Sequence, residues 1–532
     1  MDSPLCELPD EILILIAEHL QGQSSALRCL ALTNQHFQAI AEPVLYRDIF
    51  LRTGGQLSRL ESALQSGPSR AGGVRTFDVR CLPPKAGSRP LLDLRRILCL
   101  TPNIENVVLE SPFCNNSAWK GMTCRGMWPR MMASWLGPFQ HAALPGVSKA
   151  YSGDDVLGDS VALPTMVTPR PLQALKQLTL HLNGATTEFW TMHEDYAGIW
   201  AHPTLEILHL SSINIPDQAT SSMPSGLRTP LKRLTLDEAN VTLDGLRGVL
   251  SIPKALEYLY IGENRYSPGE TRSPRAQNYN RLAARDAQAF VDTLALQKHS
   301  LRELVYLSIN ACTDSPVPHH RRQAVDLSMF EALLELTLAG CNDDCMLSWS
   351  PQHKAPPRLQ RLTVDQLAFA DNDIDAATPS NIVPLFFQQT VAAAPHLKQL
   401  SVRLTHALVF NPALPWYIRL RTIVERVGKY LSKAGCILHV VRPPGQCPFV
   451  RPILFGEEEA EDVVMYVNDE IGFRNNLDAG QSAWTSEEDG VWVSEGESVS
   501  DDDSGEESGL SDSSEWDEDG DDQRDTAENL PA

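Results

Sequence analysis

Long apolar runs, stripes of basic residues and regularly spaced cysteines are all missing from this 532-residue chain. No run approaches the roughly 20 apolar residues that a membrane-spanning helix needs, so no membrane partner is expected. No stripe of Lys and Arg is available to bind phosphates, so no nucleic-acid partner is expected either. The 11 cysteines are scattered, and the first residues, MDSPLCELPDE, are acidic where a secretory signal is basic and then apolar. These absences predict a reduced compartment, cytoplasmic and/or nuclear.

Signatures of catalysis and of cofactor binding are missing as well. The chain has no Gly-rich phosphate loop, no GxSxG, no HExxH and no paired-cysteine zinc spacing. Cys341 and Cys345 lack a second pair nearby, so no metal site is expected there. We therefore expect a protein that is not an enzyme and that holds no cofactor or metal. An active site without a sequence motif stays open as an alternative, since any long chain contains the residue types.

The net charge of −22 is concentrated near the C-terminus. Residues 487–528 hold 19 Asp and Glu against a single Arg, a charge of −18, which leaves −4 for all other residues. Apolar residues become rare from residue 472, and such a composition buries too little surface to offset the entropy of folding. The sequence therefore predicts a disordered acidic tail over 472–532, preceded by a partly ordered linker over 443–471.

The stretch LPDEILILIAEHL, residues 8–20, predicts the first helix. Pro9 suits the first turn of a helix, where Asp10 and Glu11 also favour the positive end of the helix dipole. Leu13 and Ile14 make a second side of this helix apolar. The main stripe lies at spacings of three and four residues and consists of Ile12, Leu15, Ile16, His19 and Leu20.

Two breaks, QGQSS and TNQ, separate this helix from two further short helices. Ser24 or Ser25 is the candidate N-cap of the second helix. The third helix carries Phe37 and should stop before Pro43, which leaves VLYRDIFL extended. Three helices in so few residues form a unit that is marginal alone.

This N-terminal segment resembles the F-box family. The resemblance is carried by the Leu8-Pro9 step, Glu11-Ile12, Ile16, Leu20, the LRCLALTNQHFQAI block and the closing LYRDI. Phe37 stands where many members of the family have a tryptophan. In that family the three-helix module binds the adaptor subunit of a cullin-RING ubiquitin ligase, which implies the adaptor and the cullin complex as partners. The resemblance implies a ligase-adaptor-binding surface of Leu8, Pro9, Ile12, Leu15, Ile16, Leu20, Leu32 and Phe37. The alternative is a helical cap on the following domain.

From residue 74 to 402 the pattern apolar-x-x-apolar-x-apolar recurs, and its apolar positions alternate as in a short strand. The clear copies start 30, 26, 25, 48, 29, 26 and 38 residues apart. They are LKQLTL (175), LEILHL (205), LKRLTL (231), LEYLYI (256), LVYLSI (304), LLELTL (333), LQRLTV (359) and LKQLSV (397). Weaker copies are VRTFDV (74) and IENVVL (104). Thr242 is placed to cap a helix with Leu243, Leu246 and Leu250. A second helix is indicated by Ala283, Ala287, Phe290, Val291 and Leu294.

This strand, helix, strand order resembles the leucine-rich-repeat family, whose units have about 20–29 residues. Asn264, Cys312 and Cys341 follow their strands where that family has a buried polar turn residue. The resemblance implies an α/β fold in which a three-helix F-box-like module (1–50) precedes an irregular leucine-rich-repeat solenoid with a parallel sheet (51–442). Whether the array is continuous or divided near 265–300 is left open.

Two insertions interrupt this array, at 111–171 and 265–280. The first concentrates Trp119, Trp128 and Trp135 with methionines, which indicates either packing onto its own domain or a patch for a partner. The leading hypothesis is a non-catalytic, substrate-recruiting adaptor of a cullin-RING ubiquitin ligase that binds an unknown target protein through its repeats. The alternative is a leucine-rich-repeat scaffold with no ligase association.

Overall fold

The computed structural model describes residues 8–80, 94–110, 128–143, 171–182, 190–192, 194–263, 282–308, 325–339, 354–367, 389–404, 415–442 and 462–468. The predicted tail over 472–532 and the insertion at 265–280 lie outside these residues, as do Asn264, Cys312 and Cys341. The insertion at 111–171 is described mainly at 128–143, and the predicted linker at 462–468.

Three helices form the N-terminal region: α1 (Asp10–His19), α2 (Ser24–Thr33) and α3 (Gln35–Leu45). Asn34 caps α3, because its Oδ1 accepts a hydrogen bond from the Phe37 N–H at 2.8 Å. The N-cap position of α2 is Gln23, and no side chain caps this helix. Neither Ser24 nor Ser25 has the predicted capping role. The small core of the region contains Ala17, Leu27 and Ala41.

The third helix runs past Pro43 to Leu45, so the prediction that it stops before the proline is wrong. The segment VLYRDIFL becomes a strand only from Asp48. Pro43 lies in the last turn of the helix, and its missing N–H removes one helical hydrogen bond. The helix continues around it, since the Tyr46 N–H still donates to the Glu42 carbonyl at 2.9 Å.

The rest of the described chain is organised around a sheet of 15 strands. They are β1 (Asp48–Leu51), β2 (Thr76–Arg80), β3 (Asn106–Glu110), β4 (Gln177–His181), β5 (Trp190–Thr191), β6 (Ile207–Ser211), β7 (Ile213–Ile215), β8 (Arg233–Val241), β9 (Tyr258–Glu263), β10 (Glu303–Leu307), β11 (Glu335–Ala339), β12 (Arg361–Leu367), β13 (Gln399–Leu404), β14 (Ile437–Arg442) and β15 (Val463–Val467). Their order along the main path follows the chain, with β5 paired to β7 and β7 to β8 beside it. Neighbours are parallel except β14 and β15, which are antiparallel.

Every copy of the apolar pattern coincides with a strand, from VRTFDV in β2 to LKQLSV in β13. The predicted strands and their parallel pairing are therefore confirmed. The sheet continues directly from β9 to β10, so it is not divided near 265–300. The structure is a mixed α/β fold with a helical N-terminal region. The leucine-rich-repeat solenoid stays a prediction.

Helices connect many of these strands. They are α4 (Gly54–Ser66), α5 (Pro68–Gly73), α6 (Arg95–Leu100), α7 (Trp128–Ala143), α8 (Leu243–Leu250), α9 (Leu282–Arg285), α10 (Ala287–Leu294) and α11 (Pro415–Lys433), with 3-10 turns at Glu194–Ile199 and Ala295–Gln297. The predicted cap of α8 is confirmed, since the Gly245 N–H donates to Thr242 Oγ1 at 3.1 Å. The helix predicted around Phe290 is divided at Asp286, whose carboxylate caps α10. Trp135 of α7 belongs to the main core, which agrees with packing onto its own domain.

Most strands of the main path are joined to the previous one by the same backbone contact. The Arg47 carbonyl accepts hydrogen bonds from the N–H groups of Arg75 and Thr76, at 2.8 and 3.0 Å. The same double acceptance recurs at the carbonyls of Arg75, Glu105, Lys176, Glu206, Lys232, Glu257, Arg302, Leu334 and Gln360. These contacts fix the register of neighbouring strands. Residues at the same position in successive strands therefore form rows across the sheet.

Candidate protein-interaction surfaces

Large apolar side chains are exposed on the first two helices. The exposed fraction is 42% for Ile12, 44% for Ile14, 59% for Leu15 and 86% for Leu32. The other exposed large apolar side chains among the described residues are scattered: Phe50, Leu296 and Tyr430. Four exposed apolar side chains in one small helical region form a candidate interface, because the helices of a folded protein normally bury such residues.

The inward side of α1 is narrow. Leu13 and Ala17 are 3% and 0% exposed and lie on the same side of the helix, since residues four apart are neighbours in space. Ile12 and Ile14 lie on opposite flanks of this buried side, and Leu15 lies on the side of the helix opposite to it, because each residue turns the helix by about 100°. The helix therefore presents apolar side chains on two flanks, as the doubly apolar sequence predicts.

The residues of the predicted adaptor surface have different positions. Pro9, Ile12, Leu15 and Leu32 are exposed, whereas Leu8, Ile16 and Leu20 are half-buried. Phe37 is only 2% exposed, because α3 packs against both α1 and α2. Its side chain therefore supports the helices from inside and does not line the exposed surface. Ile14, which the sequence places on the second apolar side of α1, is as exposed as Ile12.

A two-pronged ion pair, called here the clamp, joins α3 to the sheet domain, which consists of the strands β1 to β15 and the helices α4 to α11. Both Glu42 oxygens accept hydrogen bonds from Arg70 of α5, at 2.9 and 2.7 Å. The bond from Arg70 lowers the pKa of the Glu42 carboxyl, and a second bond from Gln38 adds to this effect. The same ion pair raises the pKa of Arg70. Such a two-pronged pair, 22% and 13% exposed at its side chains, holds the helices in a defined orientation on the sheet domain.

A close backbone approach supports this clamp. Gly73, at the end of α5, leaves no room for a side chain, since a Cβ atom there would lie 2.8 Å from the Pro43 carbonyl oxygen. Gln21 also donates a hydrogen bond to Asp48 of β1 at 2.8 Å. The exposed apolar surface is thus carried by helices that are attached to the sheet domain at three places.

The second candidate surface is the polar sheet face, defined as the side of the sheet that points away from the core. Its middle row crosses the strands at Asp78, Val108, Thr179, His209, Thr235, Tyr260, Val305, Thr337, Thr363, Ser401 and His439. At β3 and β4 this face is closed, because Val108 and Thr179 are buried. At β8 to β10 it is accessible, since Arg233 is exposed and both Tyr260 and Val305 are half-buried.

Titratable groups on the closed part of this face are held neutral or paired. Burial lowers the pKa of His181 to about 4, and burial also lowers the pKa of His209 while Asp237 opposes that change. Ser211 Oγ lies 3.3 Å from His209 Nε2. Ser, His and Asp are the residue types of acyl transfer, but Ser211 is 2% exposed and is closed to a substrate. This cluster therefore belongs to the packing of the sheet.

Two further observations concern metals and membranes. Within the described ranges, no three His, Cys, Asp or Glu side chains come together in a group that could hold a metal ion. None of the helices in those ranges has both the length and the apolar character needed to cross a membrane.

Comparison with known proteins identifies the helical region. Residues 5–52 match the family model described as F-box-like. No curated protein matches the chain. Among solved structures, the chain is similar to one in the crystal structure of the Rad7 and Elc1 complex in yeast. That match has 14% identity, covers 76% of this chain and 92% of that chain, and has a TM-score of 0.27. The N-terminal region is therefore an F-box-like domain.

Proposed function

We propose that this protein is a non-catalytic, substrate-recruiting subunit of a cullin-RING ubiquitin ligase, in the cytoplasm and/or nucleus. The F-box-like domain binds the ligase adaptor subunit, and the sheet domain, an irregular leucine-rich-repeat solenoid, binds a target protein. The observation that supports this proposal best is the exposed apolar group on α1 and α2, because it lies in the F-box-like domain.

Burial of this group supplies the driving force for binding. A Leu or Ile side chain contributes about 1.5–3 kcal/mol when it is fully removed from water. Ile12, Leu15 and Leu32 are 42%, 59% and 86% exposed, so a partner that covers them gains much of this free energy. Association costs translational and rotational freedom, and three such anchors offset much of that cost.

The clamp between α3 and α5 connects this binding to function. Transfer of ubiquitin is performed by other subunits of the ligase, and this chain contributes position. A target held on the sheet domain is presented at high effective concentration, since the two binding surfaces share one attached unit. The ion pair of Glu42 and Arg70 maintains that geometry.

Binding to purified adaptor subunit tests the proposal. We expect the Ile12→Asp/Leu15→Asp variant of the full chain to bind the adaptor about thirtyfold more weakly or not at all, because charges then face an apolar partner. Both side chains are exposed, so circular dichroism should show an unchanged fold. Leu296→Asp is the matched control, since this leucine is 49% exposed in the turn after α10.

A second candidate is a repeat scaffold without ligase association, in which the helices only cap the sheet domain. The contacts of α3 with α5 favour it. Absence of adaptor binding by the folded parent chain supports this scaffold and contradicts the ligase role, whereas equal affinity of parent and double variant contradicts binding through Ile12 and Leu15.

A further inference from the structure

Two tyrosines and an arginine lie side by side on the accessible part of the polar sheet face. Tyr258 and Tyr260 occupy alternate positions of β9 and so point to the same side of the sheet. Arg233 of β8 is opposite Tyr258 in the strand register, and its guanidinium carbon lies 4.0 Å from the centroid of that ring. We name Arg233, Tyr258 and Tyr260 the aromatic platform.

Hydrogen bonds fix both rings of the platform. The Tyr260 hydroxyl donates to Asp237 Oδ1 at 3.3 Å, and Tyr258 is hydrogen-bonded to Thr235. Since Tyr258 is opposite Arg233 and Tyr260 is opposite Thr235, each hydroxyl reaches two residues further along β8. Both rings therefore lean in the same direction over the sheet.

Gly262 makes room for this arrangement. A Cβ atom at this position would lie 2.9 Å from Asp237 Oδ1 and 3.0 Å from Tyr260 Cε1. Any side chain there displaces the ring or the carboxylate that holds it. The platform is thus prearranged, so little conformational entropy is lost when a partner covers it.

The charges around the platform differ on its two sides. Arg233 is exposed and has no ion pair within the described part of the chain. Arg361, four strands away in the same row, is by contrast paired with Glu335. Glu303 lies opposite Tyr258 on β10 and is likewise without an ion pair among the described residues. An available cation and an available anion therefore flank one aromatic ring.

We propose that the aromatic platform is the centre of the target-binding surface. Its partner is a polypeptide segment with an acidic side chain for Arg233, an apolar or aromatic side chain for the tyrosine rings, and a basic side chain for Glu303. The two charges of the partner lie about 10 Å apart, because strands are spaced about 4.8 Å and Arg233 and Glu303 are two strands apart. Tyr and Arg are the residue types that dominate binding energy at protein interfaces.

This inference deepens the proposed function, because it specifies the target side of the same protein. The test is a selection of random peptides displayed on phage against the immobilised full chain. We expect enriched peptides to carry an acidic and a basic residue on either side of an apolar or aromatic one. Selection on the Arg233→Glu variant should exchange the acidic residue for a basic one, since the charge of its contact is reversed.

The affinities of one enriched peptide for variants of the chain then show what the ring of Tyr258 contributes to binding. Calorimetric titration should show about tenfold weaker binding or worse for Tyr258→Ala, whereas Tyr258→Phe keeps the ring and should retain most of the affinity. Arg426→Glu on α11 is the matched control, since Arg426 is also exposed and far along the chain from β8. Peptides without this charge pattern, or an unchanged pattern on Arg233→Glu, overturn the proposal.

These experiments distinguish failure of the aromatic platform from failure of the ligase role. The Arg233 and Tyr258 variants should bind the ligase adaptor with parental affinity, since neither residue lies in the F-box-like domain. A chain that binds the adaptor but selects no such peptides overturns the platform alone. A chain that selects them without binding the adaptor supports the platform and contradicts the ligase role.

Discussion

His202 is 1% exposed and follows the 3-10 turn Glu194–Ile199. Burial lowers its pKa from 6.5 to about 4, because the charged imidazolium loses its hydration. The unfolded chain therefore binds a proton near pH 6.5, whereas the folded chain does not until about pH 4. Protonation favours the unfolded state over this interval, so His202 makes the free energy of unfolding decrease as the pH falls from 6.5 to about 4.

We expect His202→Gln to be less sensitive to acid than the parent chain. At pH 4 the parent should lose on the order of 3 kcal/mol more stability than the variant, relative to pH 7, since one pKa unit corresponds to about 1.4 kcal/mol. Urea unfolding at a series of pH values measures this difference. Parallel pH curves for the two proteins contradict the assignment of acid sensitivity to His202.

The exposed apolar surface on α1 and α2 was predictable in part. Helical spacing alone groups Ile12 with Leu15, and both are exposed. Spacing does not reveal which of two apolar sides turns inward, and here the inward side includes Ala17, a small residue with a weak hydrophobic signal. For the same reason Phe37 was predicted as a surface residue although the packing of α3 buries it. Only the arrangement of the three helices decides this.

At the scale of the elements, α8 packs very closely on β7. A Cβ atom on Gly245 would lie 2.7 Å from both the Ile215 and the Pro216 carbonyl oxygens. A glycine inside a helix normally costs about 1 kcal/mol relative to alanine. This glycine is retained because it allows the helix backbone to approach the strand.

Gly245→Ala should therefore destabilise the protein despite the better helix propensity of alanine. We expect a loss of about 1–3 kcal/mol, the usual cost of overpacking, in chemical denaturation. Gly55→Ala in α4 is the matched control, because nothing lies within 4 Å of the corresponding Cβ position. That variant should be unchanged or more stable by up to about 1 kcal/mol. Stabilisation of both variants contradicts the close approach.

The elements that the sequence predicted are those with repeated, alternating apolar residues. The short strands β5 and β7, with 2 and 3 residues, carry too few positions to show a period. The sequence does not indicate β15, because it belongs to no copy of the repeat and pairs antiparallel with β14. α3 extends beyond its predicted end, since Pro43 lies within its last turn and the helix continues to Leu45.

At the scale of the whole molecule, charges alternate along the side of the sheet where the strands begin. The residues whose carbonyls join successive strands alternate in sign from one strand to the next: Arg75, Glu105, Lys176, Glu206, Lys232, Glu257 and Arg302. Neighbours form ion pairs, such as Lys176 Nζ with Glu105 Oε2 at 2.7 Å and Lys232 Nζ with Glu206 Oε2 at 2.8 Å. Such exposed pairs contribute little individually, but a shifted strand order brings like charges together.

Lys232→Glu should lower the unfolding temperature by a few degrees more than Lys232→Gln at low salt. The reason is that it places a carboxylate between Glu206 and Glu257, whereas glutamine only removes the attraction. The difference should almost disappear at about 1 M salt, where the Debye length is roughly 3 Å. Calorimetric scans at two salt concentrations measure both effects. Equal unfolding temperatures of the two variants at low salt contradict an electrostatic role.

The order of the strands was the most predictable property of the whole fold. Each copy of the pattern returns the chain to the next position in a parallel sheet, and connections between neighbours are the rule in such folds. The attachment of the helices by Glu42 and Arg70 was not predictable, because a single ion pair between residues 28 positions apart leaves no periodic signal.

The antiparallel β15 limits how a strand of a second molecule could extend the sheet of this protein. Among the described strands, β1 pairs with β2 alone, so β1 forms one edge of the sheet, and it is parallel to its neighbour. The opposite edge is covered because β15 runs against β14. A second molecule cannot continue the parallel ladder by placing its β1 beside β14. Head-to-tail growth by parallel pairing of β1 with β14 is thereby prevented, because β15 occupies that position.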